Sequence, residues 1–290
     1  MKITPKPIRL AIFVLVLSYI ATVQATVYVT ADDLNGTNLF GTLDVATGQF
    51  TQITTTTPLF FGITTGQVGQ LYGADVNSGN LFTISPSGMT ATLGSFTAPS
   101  ELFGLAYSNA SGNFFAENLD SMNVTLYSVA GDGNSSSTVG VLAGPDSGIF
   151  NPGNLAFGPG LNLYFNYSSD LMGGGANSTL YTVNTSTGML TMVGSGLGTD
   201  TLALFSDGTN LYGVDSSINA NIPVYRINTT TGIATQVSTV TGLPGNEEFY
   251  IDAVTVSVPE TPASGLLLLG SSVLLIGYRL LRRTRFASRV

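Results

Sequence analysis

A strand motif of the Leu-Tyr type recurs five times at nearly constant spacing, and this period constrains the fold of the 290-residue chain more than any other feature. The copies are VYVTADD (27–33), LYGADVN (71–77), FFAENLD (114–120), LYFNYSS (163–169) and LYGVDSS (211–217), starting 44, 43, 49 and 48 residues apart. Each is followed by a hairpin-like segment: 39–53, 81–94, 126–140, 180–194 and 224–237. Four of these keep a turn glycine, at Gly48, Gly88, Gly188 and Gly232, and the third has a longer turn around Gly131 and Gly133. Glycine there supplies the positive φ that a short hairpin loop demands.

A further short apolar strand precedes each Leu-Tyr copy from the second onward: LFFGITT (59–65), LFGLAYS (102–108), NLAFGP (154–159) and TLALFSD (201–207). The first copy lacks one, but FYIDAVTV (249–256) follows the fifth unit. Four strands per unit at a period of 43–49 residues is the pattern of a β-propeller blade. The offset predicts a five-bladed all-β ring in which the last strand pairs with the first, leaving no open edge at the junction. A degenerate extra blade in 141–152, a β-sandwich and a solenoid are the alternatives. The repeat also resembles the Leu-Tyr/Thr-Gly propeller repeats of secreted bacterial proteins, a resemblance that implies fold and not function.

Composition narrows the chemistry. The chain has no His, Cys or Trp. That excludes disulfides, Ser-His-Asp and Cys-His catalysis, and His-built zinc sites. Of nine basic residues only Arg226 lies between Thr26 and Val258, a stretch that holds 16 of the 17 acidic residues. The domain therefore carries 16 acidic minus 1 basic, or −15, against −8 for the whole chain. A surface of this sign disfavours nucleic acid and anionic lipid and tolerates Ca²⁺.

The two ends read differently from the middle. Residues 1–25 have the three parts of a secretory signal: Lys2, Lys6 and Arg9, an apolar run from Leu10 to Ile20, and small residues before a cleavage after Ala25. Residues 258–290 begin Val258-Pro259-Glu260 and continue with an apolar stretch, 262–281, of the length that crosses a bilayer as a helix. Arg279 lies near its end, and Arg282, Arg283 and Arg285 fall within or against the basic tail 282–290, which the positive-inside rule keeps cytoplasmic. This three-part pattern resembles the PEP-CTERM sorting signal of exported Gram-negative proteins. The resemblance implies an exosortase as processing partner, with Val258, Pro259 and Glu260 as recognition residues. Thr261 departs from it, standing where a second proline is usual.

The expected organisation is therefore a signal peptide (1–25), a repeat domain (26–257) and a sorting signal (258–290). The expected function is a non-enzymatic surface or matrix module, delivered to the cell surface or released after processing. Exopolysaccharide or other surface proteins are its expected partners. Asp33, Asp75, Asp120 and Asp215 follow the Leu-Tyr strands and are candidates for a binding or Ca²⁺ rim, although Asp in such places ordinarily caps the turn. No other cofactor or metal site is expected. The competing readings are a Ca²⁺-stabilised adhesion domain and a carbohydrate-active hydrolase using two carboxylates from Glu101, Glu117, Glu247 and Glu248.

Overall fold

The computed structural model describes residues 25–33, 37–95, 102–120, 123–142, 151–168, 178–200, 202–215, 221–244 and 250–257. Residues 1–24, all but the last position of the expected signal peptide, and the whole 258–290 segment lie outside them. Twenty strands form five four-stranded antiparallel sheets, the blades of a five-bladed β-propeller. Blade 2 comprises β4 (Phe60–Thr65), β5 (Leu71–Asp75), β6 (Asn80–Ile84) and β7 (Thr90–Ser95). Blade 3 comprises β8 (Leu102–Tyr107), β9 (Phe114–Asp120), β10 (Asn123–Val129) and β11 (Ser136–Val141). Blade 4 is built from β12 (Asn151–Phe157), β13 (Leu163–Ser168), β14 (Ser178–Val183) and β15 (Leu190–Val193). Blade 5 is built from β16 (Leu202–Ser206), β17 (Leu211–Asp215), β18 (Pro223–Ile227) and β19 (Ala234–Thr239).

Blade 1 closes the ring. Its sheet runs β20–β1–β2–β3, so the C-terminal strand β20 (Tyr250–Ser257) is innermost, beside β1 (Thr26–Asp32), β2 (Asn38–Leu43) and β3 (Phe50–Thr56). The register pairs Thr26 with Ser257 and Val29 with Val254. The predicted offset closure is thus present, and residues 141–152 contribute the start of β12 and the end of β11, with no further sheet among the described residues.

The core is divided into five apolar clusters, one between each pair of neighbouring blades. Inner strands are apolar and almost wholly buried, as in LALFS of β16, whereas the outermost strands, such as FTQITTT of β3, face water. This gradient follows from the sequence, where Thr, Gln and Ser replace Leu and Phe toward the edge of each blade. Hydrophilic edge strands also resist pairing with other chains.

The turn glycines have a second role beyond their positive φ. The turn before each outer strand packs against the outer strand of the neighbouring blade. A Cβ on the turn glycines Gly88, Gly232 and Gly48 would collide with Thr54 of β3, the Val193 carbonyl of β15 and the Thr239 carbonyl, and one on Gly140, inside the outer strand β11, with the Thr187 carbonyl in the next blade's turn. On Gly94 it would lie 2.5 Å from the Gly133 carbonyl carbon. These five contacts run around the whole ring, one per blade boundary. Polar residues shape the turns: Asp44 Oδ1 accepts the Ala46 and Thr47 N–H groups at 2.9 and 3.1 Å, and Asn228 Oδ1 accepts those of Thr230 and Thr231 at the same distances.

Candidate functional site

Each inner strand runs toward one face of the ring and ends there in a hydroxyl-bearing, aromatic or small aliphatic residue. Thr64 and Thr65 end β4, Tyr107 ends β8, Phe157 ends β12, Ser206 ends β16, and Thr255 and Val256 lie near the end of β20. Together they surround a cavity of about 310 Å³ at the mouth of the central channel. Gly66, Gly158 and Gly208 also line it, and a Cβ on Gly66 or Gly158 would collide with the ring of Tyr72 or Tyr164. The polar groups are tied across blades: Thr64 Oγ1 accepts the Tyr107 N–H at 3.0 Å, and the Thr65 and Thr255 hydroxyls lie 3.1 Å apart. Tyr107 stacks on Tyr72 at 6.1 Å and meets Phe114 edge-on at 5.0 Å, which fixes its ring.

Two turns at this face are strained. Val68 (φ 54°) and Leu161 (φ 62°) occupy the left-handed region, where a β-branched residue is an outlier. Both are more than 70% exposed, and Leu161 lines the cavity. Among the described residues, the cavity lining carries no carboxylate and no basic group. It offers aromatic faces, hydroxyls and the Asn109 amide, a lining suited to an uncharged polyhydroxylic ligand.

A second hollow of about 500 Å³ lies beside blade 5, lined by Asn210, Arg226, Asn228, Ile233 and Val237, with Pro159 from blade 4. Arg226 is exposed and sits opposite Tyr212 in the β17–β18 ladder. The Tyr212 hydroxyl donates to Asp207 Oδ2 at 3.3 Å. Burial pushes the Asp207 carboxyl up, but hydrogen bonds from Asn210, Thr209 and Tyr212 outweigh it and hold the group below its ordinary value.

The rim candidates fall into two registers. Asp75 and Asp215 end β5 and β17 at equivalent positions, whereas Asp120 lies two residues further on, at the end of β9, and Asp33 just past the end of β1. Asp75 and Asp215 are buried. Asp75 Oδ1 accepts the Leu59 N–H at 3.1 Å and Oδ2 accepts from Ser78, so this carboxylate caps the β5–β6 turn and ties it to β4. Asp33 Oδ1 accepts the Thr37 N–H at 2.8 Å, and Asp120 is paired through its backbone with Asn123. No group of three or more acidic residues placed to hold a metal occurs among the described residues. Ala25 packs against the apolar cluster at the closing strands. Val258, Pro259, Glu260, Arg279, Arg282, Arg283 and Arg285 lie outside the described residues, as do Glu101, Glu247 and Glu248.

Of the four glutamates weighed as catalytic acids, Glu117 lies among the described residues, and it is in the interior. It is fully buried on β9, opposite Gly104 of β8, and neither carboxylate oxygen has a hydrogen-bond partner. Burial alone pushes its pKa well above the usual carboxylate range. Neither hollow is lined by it. The residues of the channel mouth were not singled out by sequence, although one signal was available: they cluster at and just beyond the C-terminal ends of the inner strands, read down the repeat.

No protein-family model matches the chain, and no curated protein matches it. Solved structures do. A structure of a nidogen/laminin complex is similar at 12% identity with a TM-score of 0.52, covering 82% of this chain and 100% of that one. TolB from Acinetobacter baumannii is similar at 11% identity with a TM-score of 0.50, covering 85% of this chain and 70% of that one. At such identities the likeness is one of fold.

Proposed function

We propose that this chain is an exported, non-enzymatic module of the cell surface or extracellular matrix, sorted through its PEP-CTERM-like C-terminus and binding a neutral glycan at the channel mouth. One observation carries the reading. The ring begins at Thr26, directly after the expected signal cleavage at Ala25, and closes at Ser257, directly before Val258-Pro259-Glu260. Cleavage at either site removes no strand, so the ring can be processed at both ends and stay closed. Among the described residues the mouth is lined by aromatic faces and hydroxyls without a carboxylate, which supports binding over the two-carboxylate hydrolysis that most glycosidases use.

The test is to express the full chain in a Gram-negative host bearing an exosortase and to read both termini of the product by mass spectrometry. The reading expects an N-terminus at Thr26, loss of 262–290, and failure of the C-terminal cut in a Pro259→Ala, Glu260→Ala variant. Retention of both ends in a cytoplasmic product refutes it. Neutral glycans are then screened for binding and for product release. Turnover would sink the non-enzymatic reading, and absence of any glycan binding would sink the ligand.

A further inference from the structure

A fully buried carboxyl group with no hydrogen-bond partner is costly to leave as it stands, and an unseen ion or water ordinarily accounts for it. Glu117 is such a group: both of its oxygens are buried and unbonded. The chain makes room for it. Gly104, beside it on β8, carries no side chain, and a Cβ there would collide with Glu117 Oε1 and lie 3.1 Å from the Leu155 nitrogen of β12. The carboxylate therefore lies against the inner strands of blades 3 and 4, next to the channel.

Several buried amides share its level of the ring. Asn166 occupies on β13 the register that Glu117 occupies on β9, is fully buried, and has neither side-chain oxygen nor nitrogen hydrogen-bonded. Asn118 follows Glu117 and Asn154 precedes Leu155, and both are buried. The Asn154 amide reaches the Phe61 carbonyl of β4 at 3.5 Å, which brings a third blade to the same level. Other blades place apolar or hydroxyl groups in the Glu117 register: Ala74 on β5, Val214 on β17, and Thr30 on β1, whose hydroxyl donates to the Phe60 carbonyl at 3.1 Å. A carboxylate among amide oxygens, with no basic side chain nearby, is a donor set for a hard cation.

We infer that Glu117, with amide oxygens at the same level of the ring, binds a hard cation of the Ca²⁺ type between blades 3 and 4. This site is distinct from the turn residues Asp33 and Asp75, whose carboxylates accept backbone N–H groups. The cation would lock the ring from within.

The test is thermal unfolding of the full chain in detergent at about 0.15 M NaCl, in EDTA and in millimolar Ca²⁺, followed by tyrosine fluorescence and near-ultraviolet circular dichroism. Saturating Ca²⁺ is expected to raise Tm by about 5 °C or more. Glu117→Gln, neutral and nearly isosteric, is expected to abolish that shift, while Asp75→Asn keeps it. A wild-type Tm unmoved by Ca²⁺, or a shift retained in full by Glu117→Gln, overturns the assignment. Should Glu117→Gln fail to fold, Glu117→Asp serves in its place. Withdrawing the carboxyl by one methylene is expected to weaken Ca²⁺ at least about tenfold, and unchanged affinity overturns the assignment equally.

Discussion

Closure of the ring through β1 and β20 can be tested by a double-mutant cycle across Val29 and Val254. These residues face each other directly in the closing ladder, are 1% and 2% exposed, and belong to one apolar cluster. Each Val→Ala change deletes two methyl carbons, about 1.6 kcal/mol of transfer free energy, and the residual cavity brings the cost to about 2 kcal/mol. If the two side chains touch, the second truncation removes contacts that the first has already forfeited. The double variant should then fall short of the sum by about 0.5–1 kcal/mol. Urea unfolding of the full chain, followed by far-ultraviolet circular dichroism, measures all four corners. A control cycle pairs Val29→Ala with Leu180→Ala, which lies in the cluster between blades 4 and 5. It should be additive within about 0.5 kcal/mol. If the Val29–Val254 cycle is as additive as the control, the two strands do not pair and the closed ring is wrong.

Three further outcomes follow from particular residues. In EDTA, Glu117 should make the protein less stable as pH rises. Its folded pKa is raised, so the neutral form's contribution is complete below the unfolded carboxyl range and is lost toward the folded value, at up to about 1.4 kcal/mol per pH unit. Urea midpoints across pH 4–8 should show this slope vanish in Glu117→Gln. Gly79→Ala and Gly194→Ala share nearly the same φ, 67° and 69°, but only Gly194 abuts another blade. The first should cost about 1 kcal/mol and the second about 3 kcal/mol or more by chemical unfolding; equal costs would refute the blade-to-blade role of the turns. Val68→Asn should stabilise the ring by about 0.5–1 kcal/mol, because asparagine tolerates the left-handed backbone that valine is forced into. A loss of stability there would show that Val68 makes an apolar contact of its own.

The fold was legible because the repeat writes the same local instruction five times. A Leu-Tyr strand, a second strand and a glycine turn recur at near-constant offsets, and the orphan strand at 249–256 marks the closing partner. The ring-wide contacts of those glycines were not legible. A turn glycine in sequence announces only its φ, whereas its contact with the next blade depends on the twist of four strands. The acidic residues show the opposite failure. Asp33, Asp75, Asp120 and Asp215 look alike in sequence, yet the ladder separates them into two registers, and turn capping takes up Asp75. Glu117 looked like a member of a catalytic pair, and only its pairing with Gly104 reveals that it points into a blade boundary.

The channel mouth and the Glu117 layer suggest a division of labour along the axis of the ring. The mouth is open, carries no charged group among the described residues, and is assembled from strand ends, of which Tyr107 and Phe157 also pack against the clusters between blades. The Glu117 layer is buried, and any change there falls on the packing of blades 3 and 4. Under the proposed function, ligand choice would belong to residues such as Tyr107, Phe157 and Ser206, and under the proposed cation site, cohesion of the ring to Glu117 and the strands that close it. A glycan-binding defect in a Tyr107→Ala variant with an unchanged Ca²⁺ shift, and the reverse in Glu117→Gln, would separate the two. Loss of both properties in either variant would mean that the mouth and the buried layer act as one site.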